Sequence, residues 1–251
     1  MRILSIGNSF SQDATKYLAA LAKEAGKEVE TVNLYIGGCS LYTHVKNLRA
    51  AAKAYSYELN GDPTAESVSI NEIVEEGGWD VITLQQASHY SGIEATYHPF
   101  LEELAAYLRE KAPEAKIYIH ETWSYDPAST HDGFPMYACD SKLMYERVSA
   151  CYRAAAKAIG AGFLPVGDGV ELLRKTALFA PETGKYSVNR DGFHLSIPYG
   201  RVFASLVWCE KLLGIDARTS TFVPQSRFGL ADAEAMKLLR ETAHEVCAAE
   251  A

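Results

Sequence analysis

The chain has 251 residues, of which 48% are hydrophobic and 22% charged, with a formal charge of −8. That length and balance suit one large globular core and exclude a disordered chain. The acidic excess, with no run of lysine or arginine, argues against a nucleic-acid partner, and no stretch approaches the roughly 18 apolar residues of a membrane span.

"MRILSIGNSF" is too short and too quickly polar for a secretory signal, so a cytoplasmic location is expected. Five cysteines, far apart and without a C-x-x-C pair, read as free thiols in a reducing compartment. Cys39 alone sits in a glycine loop that approaches a site.

The first predicted strand, "RILSI" at 2–6, runs straight into Gly7-Asn8-Ser9 and then a helical segment over 14–26. Ser9 can therefore hold its hydroxyl and N–H at the carboxyl edge of a sheet, near a helix N-terminus that favours developing negative charge. Its alternative use is as a helix cap, with Ser11 and Asp13 as competing caps.

The second strand, "VETVNLY" at 29–35, ends in Gly37-Gly38, where a backbone without Cβ can approach a substrate and present N–H groups. A helix over 42–55 follows, then the strand "DVITLQ" at 80–85, which ends in Gln85-Gln86. Two amides at a buried strand terminus need partners, and a donor directed at a substrate is one solution.

A helix over 99–113 leads to "KIYIHE" at 116–121, and another over 143–160 leads to "GFLPV" at 162–166. Gly26, Pro113 and Gly160 fall where helix stops are expected. Helices are predicted over 168–178, 198–214 and 231–246, and no linker or repeat divides residues 1–251, which read as one domain. Such alternation predicts a parallel sheet covered by helices on both faces, with ligands beyond the carboxyl ends of the strands.

In the late loop, Asp191-Gly192-Phe193-His194 places a carboxylate three residues before an imidazole. That spacing can turn Asp191 onto His194 Nδ1 and leave Nε2 to take a serine proton. His89 and His131 lie in loops near the same crevice, but only His194 has an aspartate at i−3.

Together, "IGNSFSQD", "GGCSL" and "DGFHLS" resemble the SGNH (GDSL-like) hydrolase superfamily, and the likeness runs from residue 3 to 200. With "LQQ" added, the blocks also fit a little-characterised bacterial branch of it. The resemblance implies a flavodoxin-like three-layer α/β/α fold with a five-stranded parallel sheet. It implies ester hydrolysis by Ser9, Asp191 and His194 without metal or cofactor, with the Ser9 and Gly38 amides in the oxyanion hole and Gly37 as the alternative to Gly38.

Two blocks depart from the family pattern. Gly7-Asn8-Ser9 stands for the usual G-D-S, and "LQQASH" for G-x-N-D, so that Gln86, or Gln85, takes the place of the side-chain donor. Tyr42, His89 and Trp123, with Tyr90 and Tyr125, fall in loops at the same end and suit a sugar ring better than a long acyl chain. A short-acyl, acetyl-type esterase on a carbohydrate is expected. The rivals are a degenerate scaffold that binds glycans without turnover and a flavodoxin-like phosphate or flavin binder. Metal-dependent hydrolysis through His120, Glu121, His131 and Asp132 lacks recognisable ligand spacing.

Overall fold

Five apolar runs become parallel strands: β1 (Arg2–Gly7), β2 (Glu30–Tyr35), β5 (Val81–Leu84), β6 (Lys116–His120) and β7 (Gly162–Leu164). They are hydrogen-bonded in the order β2-β1-β5-β6-β7 in a computed structural model that describes residues 1–225 and 231–250. Ile3, Leu4, Ile6, Val32, Leu34, Ile82, Leu84 and Ile119 are essentially inaccessible, as expected of strands covered on both faces.

Among the described residues the sheet has seven strands, not five. The antiparallel hairpin β3 (Tyr55–Leu59) and β4 (Asp62–Val68) extends it beyond β2. Its turn is Asn60-Gly61, with φ of 52° and 84°, a pairing that suits the right-handed twist of the flanking strands. Six of the seven β4 residues are exposed, so the strand carries no apolar signal. The helix expected over 42–55 is correspondingly shorter, α3 (Leu41–Arg49).

The segment expected as one helix over 14–26 is two, α1 (Ser9–Thr15) and α2 (Leu18–Glu24). Ser205 of α8 (Tyr199–Leu213) enters the break: its hydroxyl donates to the Ala14 carbonyl at 2.7 Å and accepts from Tyr17 N–H at 3.3 Å. A side chain inserted into the helical ladder is a known cause of such breaks.

Helices α1, α2, α8, α7 (Val166–Arg174) and α9 (Ala233–Ala249) pack together in one layer. In the other, α3 and α5 (Phe100–Lys111) pack together, flanked by α4 (Ile70–Glu75) and α6 (Ser141–Ile159). The hairpin also supports α1, because Glu58 accepts from Asn33 Nδ2 at 2.7 Å and from Gln12 Nε2, while Asn33 Oδ1 accepts from Ser11 at 2.8 Å. Since all five parallel strands point one way, the loops after them emerge at a single end.

Candidate active site

Gly7 must be glycine because a Cβ there would come within 2.2 Å of Ser11 Oγ. Asn8 is extended (φ −147°) and caps α1: its Oδ1 accepts from Phe10 N–H at 3.0 Å and from Gln85 Nε2 at 2.7 Å. Its Nδ2 donates to the Cys39 carbonyl at 3.1 Å. An aspartate would point a second acceptor at that carbonyl, which accounts for Asn where the usual motif has Asp. With Asn8 as the cap, the Ser9 hydroxyl is left for other work, and Ser9 is the half-buried first residue of the helix.

The loop that carries the D-x-x-H closes on itself. Asp191 Oδ2 accepts from His194 Nδ1 at 2.7 Å, and Oδ1 accepts from the N–H groups of His194 at 2.8 Å and Phe193 at 3.2 Å. Burial pushes the Asp191 carboxyl up, but these hydrogen bonds outweigh it and hold its pKa below the ordinary value. An ionised carboxylate can only accept, so His194 carries its proton on Nδ1 and leaves Nε2 as the basic atom.

This loop lies against the start of α1. The Phe10 ring, next to Ser9, is 5.9 Å from the His194 ring and stacks on Trp123 at 4.3 Å. Trp123 Nε1 donates to the Phe193 carbonyl at 2.6 Å. Trp123 is 0% exposed, so it is a support behind the loop and not the sugar platform its position suggested.

Gly38 is exposed with φ of 63°, and a Cβ there would meet nothing within 4 Å. The left-handed backbone, not crowding, selects glycine at this position. The turn closes through Cys39 N–H to the Ile36 carbonyl at 3.2 Å, a bond that uses neither glycine's N–H. Asn8, the residue before Ser9, therefore holds this turn through the Cys39 carbonyl. The Cys39 thiol points away from any such role: it is buried, 3.5 Å from His44 Nδ1, and burial pushes its pKa up to about 12.

Gln86 is not the free donor expected at the third block. Its Oε1 accepts from Leu41 N–H at 3.0 Å and Ala87 N–H at 2.8 Å, and its Nε2 donates to Thr96 O at 2.9 Å and Thr96 Oγ1 at 3.2 Å. Both amide protons are spent on Thr96, while the amide oxygen holds the start of α3 and the N–H of Ala87. Gln85 bridges instead, from Asn8 to His120 Nδ1, which lies 2.6 Å from its Oε1. Burial drives the His120 pKa down to about 3, so His120 stays neutral and serves as the last member of a buried support behind Ser9.

A run of rings extends from His194. His89 is half-buried and 6.0 Å from His131, His131 is 4.7 Å from Phe193, and Phe193 is 4.1 Å from His194. His131 Nδ1 accepts from Gly133 N–H at 2.9 Å, so its Nε2 holds the proton when the ring is neutral. Tyr42 instead packs on Phe100 at 5.2 Å and lines a separate groove with Lys46 and Arg49.

The four residues of the metal alternative do not come together. His120 is committed to Gln85, Glu121 accepts from Asp168 N–H at 2.8 Å, and His131 packs among aromatic rings. Among the described residues, one group of His, Asp and Glu donors lies close enough to share an ion, Glu210, Asp216 and His244. There Arg218 already grips both oxygens of Asp216.

Residues 2–246 match the model of a family described as a domain of unknown function, DUF4886. The chain belongs to the DUF4886 family. A DUF4886 protein from Bacteroides uniformis is 33% identical, with 98% of this chain and 94% of that one covered and a TM-score of 0.90. A candidate SGNH hydrolase from Slackia heliotrinireducens is 23% identical, with 84% and 97% covered and a TM-score of 0.58. A mutant of an acetyl-xylooligosaccharide esterase from Geobacillus Stearmophilus is 12% identical, with 83% and 92% covered and a TM-score of 0.50. No curated protein matches. This DUF4886 member thus has the SGNH hydrolase fold, with the antiparallel hairpin added at one edge.

Proposed function

We propose that this DUF4886 protein is a serine ester hydrolase that removes short acyl groups, acetyl foremost, from a carbohydrate or a related small ester. The observation that carries the reading is the 2.7 Å contact between Asp191 Oδ2 and His194 Nδ1, on a loop packed against the helix that Ser9 opens. That is the orienter and base a serine nucleophile needs.

In this mechanism His194 Nε2 takes the Ser9 Oγ proton as Oγ attacks the ester carbonyl. Asp191 stabilises the imidazolium, and the Ser9 and Gly38 N–H groups receive the oxyanion. Collapse breaks the ester C–O bond, and the alcohol leaves with the proton from His194. Water then attacks the acyl-enzyme with His194 again as base, releasing the acid and restoring Ser9.

The His89, His131 and Phe193 rings offer aromatic faces and neutral N–H donors beside His194, which favours an oxygen-rich, uncharged substrate. The likeness in fold to an acetyl-xylooligosaccharide esterase points the same way. One observation favours a second reading, a glycan-binding scaffold without turnover: Gln86 has no proton left for the oxyanion.

A series of p-nitrophenyl esters from acetate to decanoate, followed by acetylated xylooligosaccharides, tests the proposal. Highest kcat/KM on acetate and acetyl release from the oligosaccharides are expected. A maximum at long chains overturns the substrate class, and glycan affinity without any hydrolysis supports the scaffold.

A further inference from the structure

His194 lies in a loop whose one ladder contact among the described residues is an isolated bridge between Asn189 and Leu195. Its position relative to Ser9 must be set by other means. The polar atoms flanking its Cα are all fixed: its N–H by Asp191, the preceding Phe193 carbonyl by Trp123 and Asn189, and its own carbonyl by Arg190 N–H at 2.9 Å. The fourth, the following N–H of Leu195, donates to Asp13 Oδ2 at 2.8 Å.

Asp13 sits on α1, one turn after Ser9, and its side chain is 0% exposed. Its carboxylate also receives Arg190 Nη1 at 2.9 and 3.1 Å and Arg201 Nε of α8 at 2.7 Å. Arg190 Nη1 in turn donates to the Leu195 carbonyl, so both backbone groups of Leu195 are held by Asp13, one directly and one through its arginine. A carboxylate with no access to water is costly unless paired and hydrogen-bonded, and here every partner belongs to the His194 loop or to α8.

We infer that Asp13 is the positioning residue that sets the reach from His194 to Ser9, by fixing the peptide after His194 to the helix that begins at Ser9. It touches no reacting atom and acts through the Leu195 amide. The inference rests on the ester-hydrolase reading, since it assigns a distance that only proton transfer between these two residues would use. Misplacing a catalytic group by about 1 Å can cost on the order of 10²-fold in rate.

The test is Asp13→Glu, which keeps the charge that both arginines need but lengthens the arm by one methylene. With p-nitrophenyl acetate the expected result is a folded protein whose kcat falls by about 10²-fold while KM stays within about twofold. Wild-type kcat in folded Asp13→Glu overturns the inference. Ser9→Ala, run alongside, separates the two claims, because hydrolysis that survives in it overturns the ester-hydrolase reading instead. Should Asp13→Glu not fold, the isosteric Asp13→Asn is assayed below its melting midpoint, where the same split between kcat and KM is expected and wild-type kcat is the contrary result.

Discussion

Asp191→Asn is expected to lower kcat for ester hydrolysis by about 10⁴-fold while leaving the fold and KM nearly unchanged. The amide keeps the size of the carboxylate, and its oxygen can still accept from the N–H groups of His194 and Phe193, which now go to Oδ1. What it cannot do is replace Oδ2. An amide nitrogen at that place donates to Nδ1, which forces the His194 proton onto Nε2 and removes the base that Ser9 needs. The imidazolium formed during attack also loses its counter-charge. Steady-state kinetics with far-ultraviolet circular dichroism as a fold control check this, and a variant that keeps more than about a tenth of wild-type kcat would be incompatible with the assigned tautomer.

Trp123→Ala carries the largest expected effect on stability, about 3–5 kcal/mol, because a fully buried indole is removed from between Phe10 and the His194 loop. The cavity would let both neighbours shift, so activity should fall through kcat. Trp123→Phe separates the contributions: packing is largely retained, and loss of the Nε1 bond to the Phe193 carbonyl costs about 1 kcal/mol. Denaturant midpoints measure both changes. A raised KM for an acetylated sugar with stability unaltered in Trp123→Ala would restore the indole to the substrate-facing role that its place after β6 suggested.

The parts of this molecule that were legible in the sequence share one property, that their signal is local. The five parallel strands read as continuous apolar runs because both faces are covered, and the D-x-x-H could be read because Asp191 and His194 lie three residues apart on one loop and meet there. The hairpin was missed because β4 is exposed, although Asn60-Gly61 was the available clue.

Asp13 was beyond reach for a different reason. It looked like a possible cap near the start of a helix, and its partners Arg190, Leu195 and Arg201 stand 177, 182 and 188 residues away. No spacing rule links them. Gln86 shows the intermediate case: burial at a strand end correctly demanded partners for its amide, but only the fold decides that these are Leu41, Ala87 and Thr96 and not a substrate. His131 carried a loop position and nothing more, and its place beside Phe193 comes from a turn closed by Gly133.

Whether Ser9 is a nucleophile activated by His194 is tested by a fluorophosphonate, without any assumption about the natural ester. Such a probe reacts with a serine whose proton is taken by a neighbouring base and leaves a stable phosphonyl adduct. The measurement is intact mass after exposure, with the modified peptide mapped, for the wild type, Ser9→Ala and His194→Ala. A single adduct on Ser9 that is absent from both variants is the predicted result. An adduct on another residue, or labelling of Ser9 that persists without His194, would contradict it.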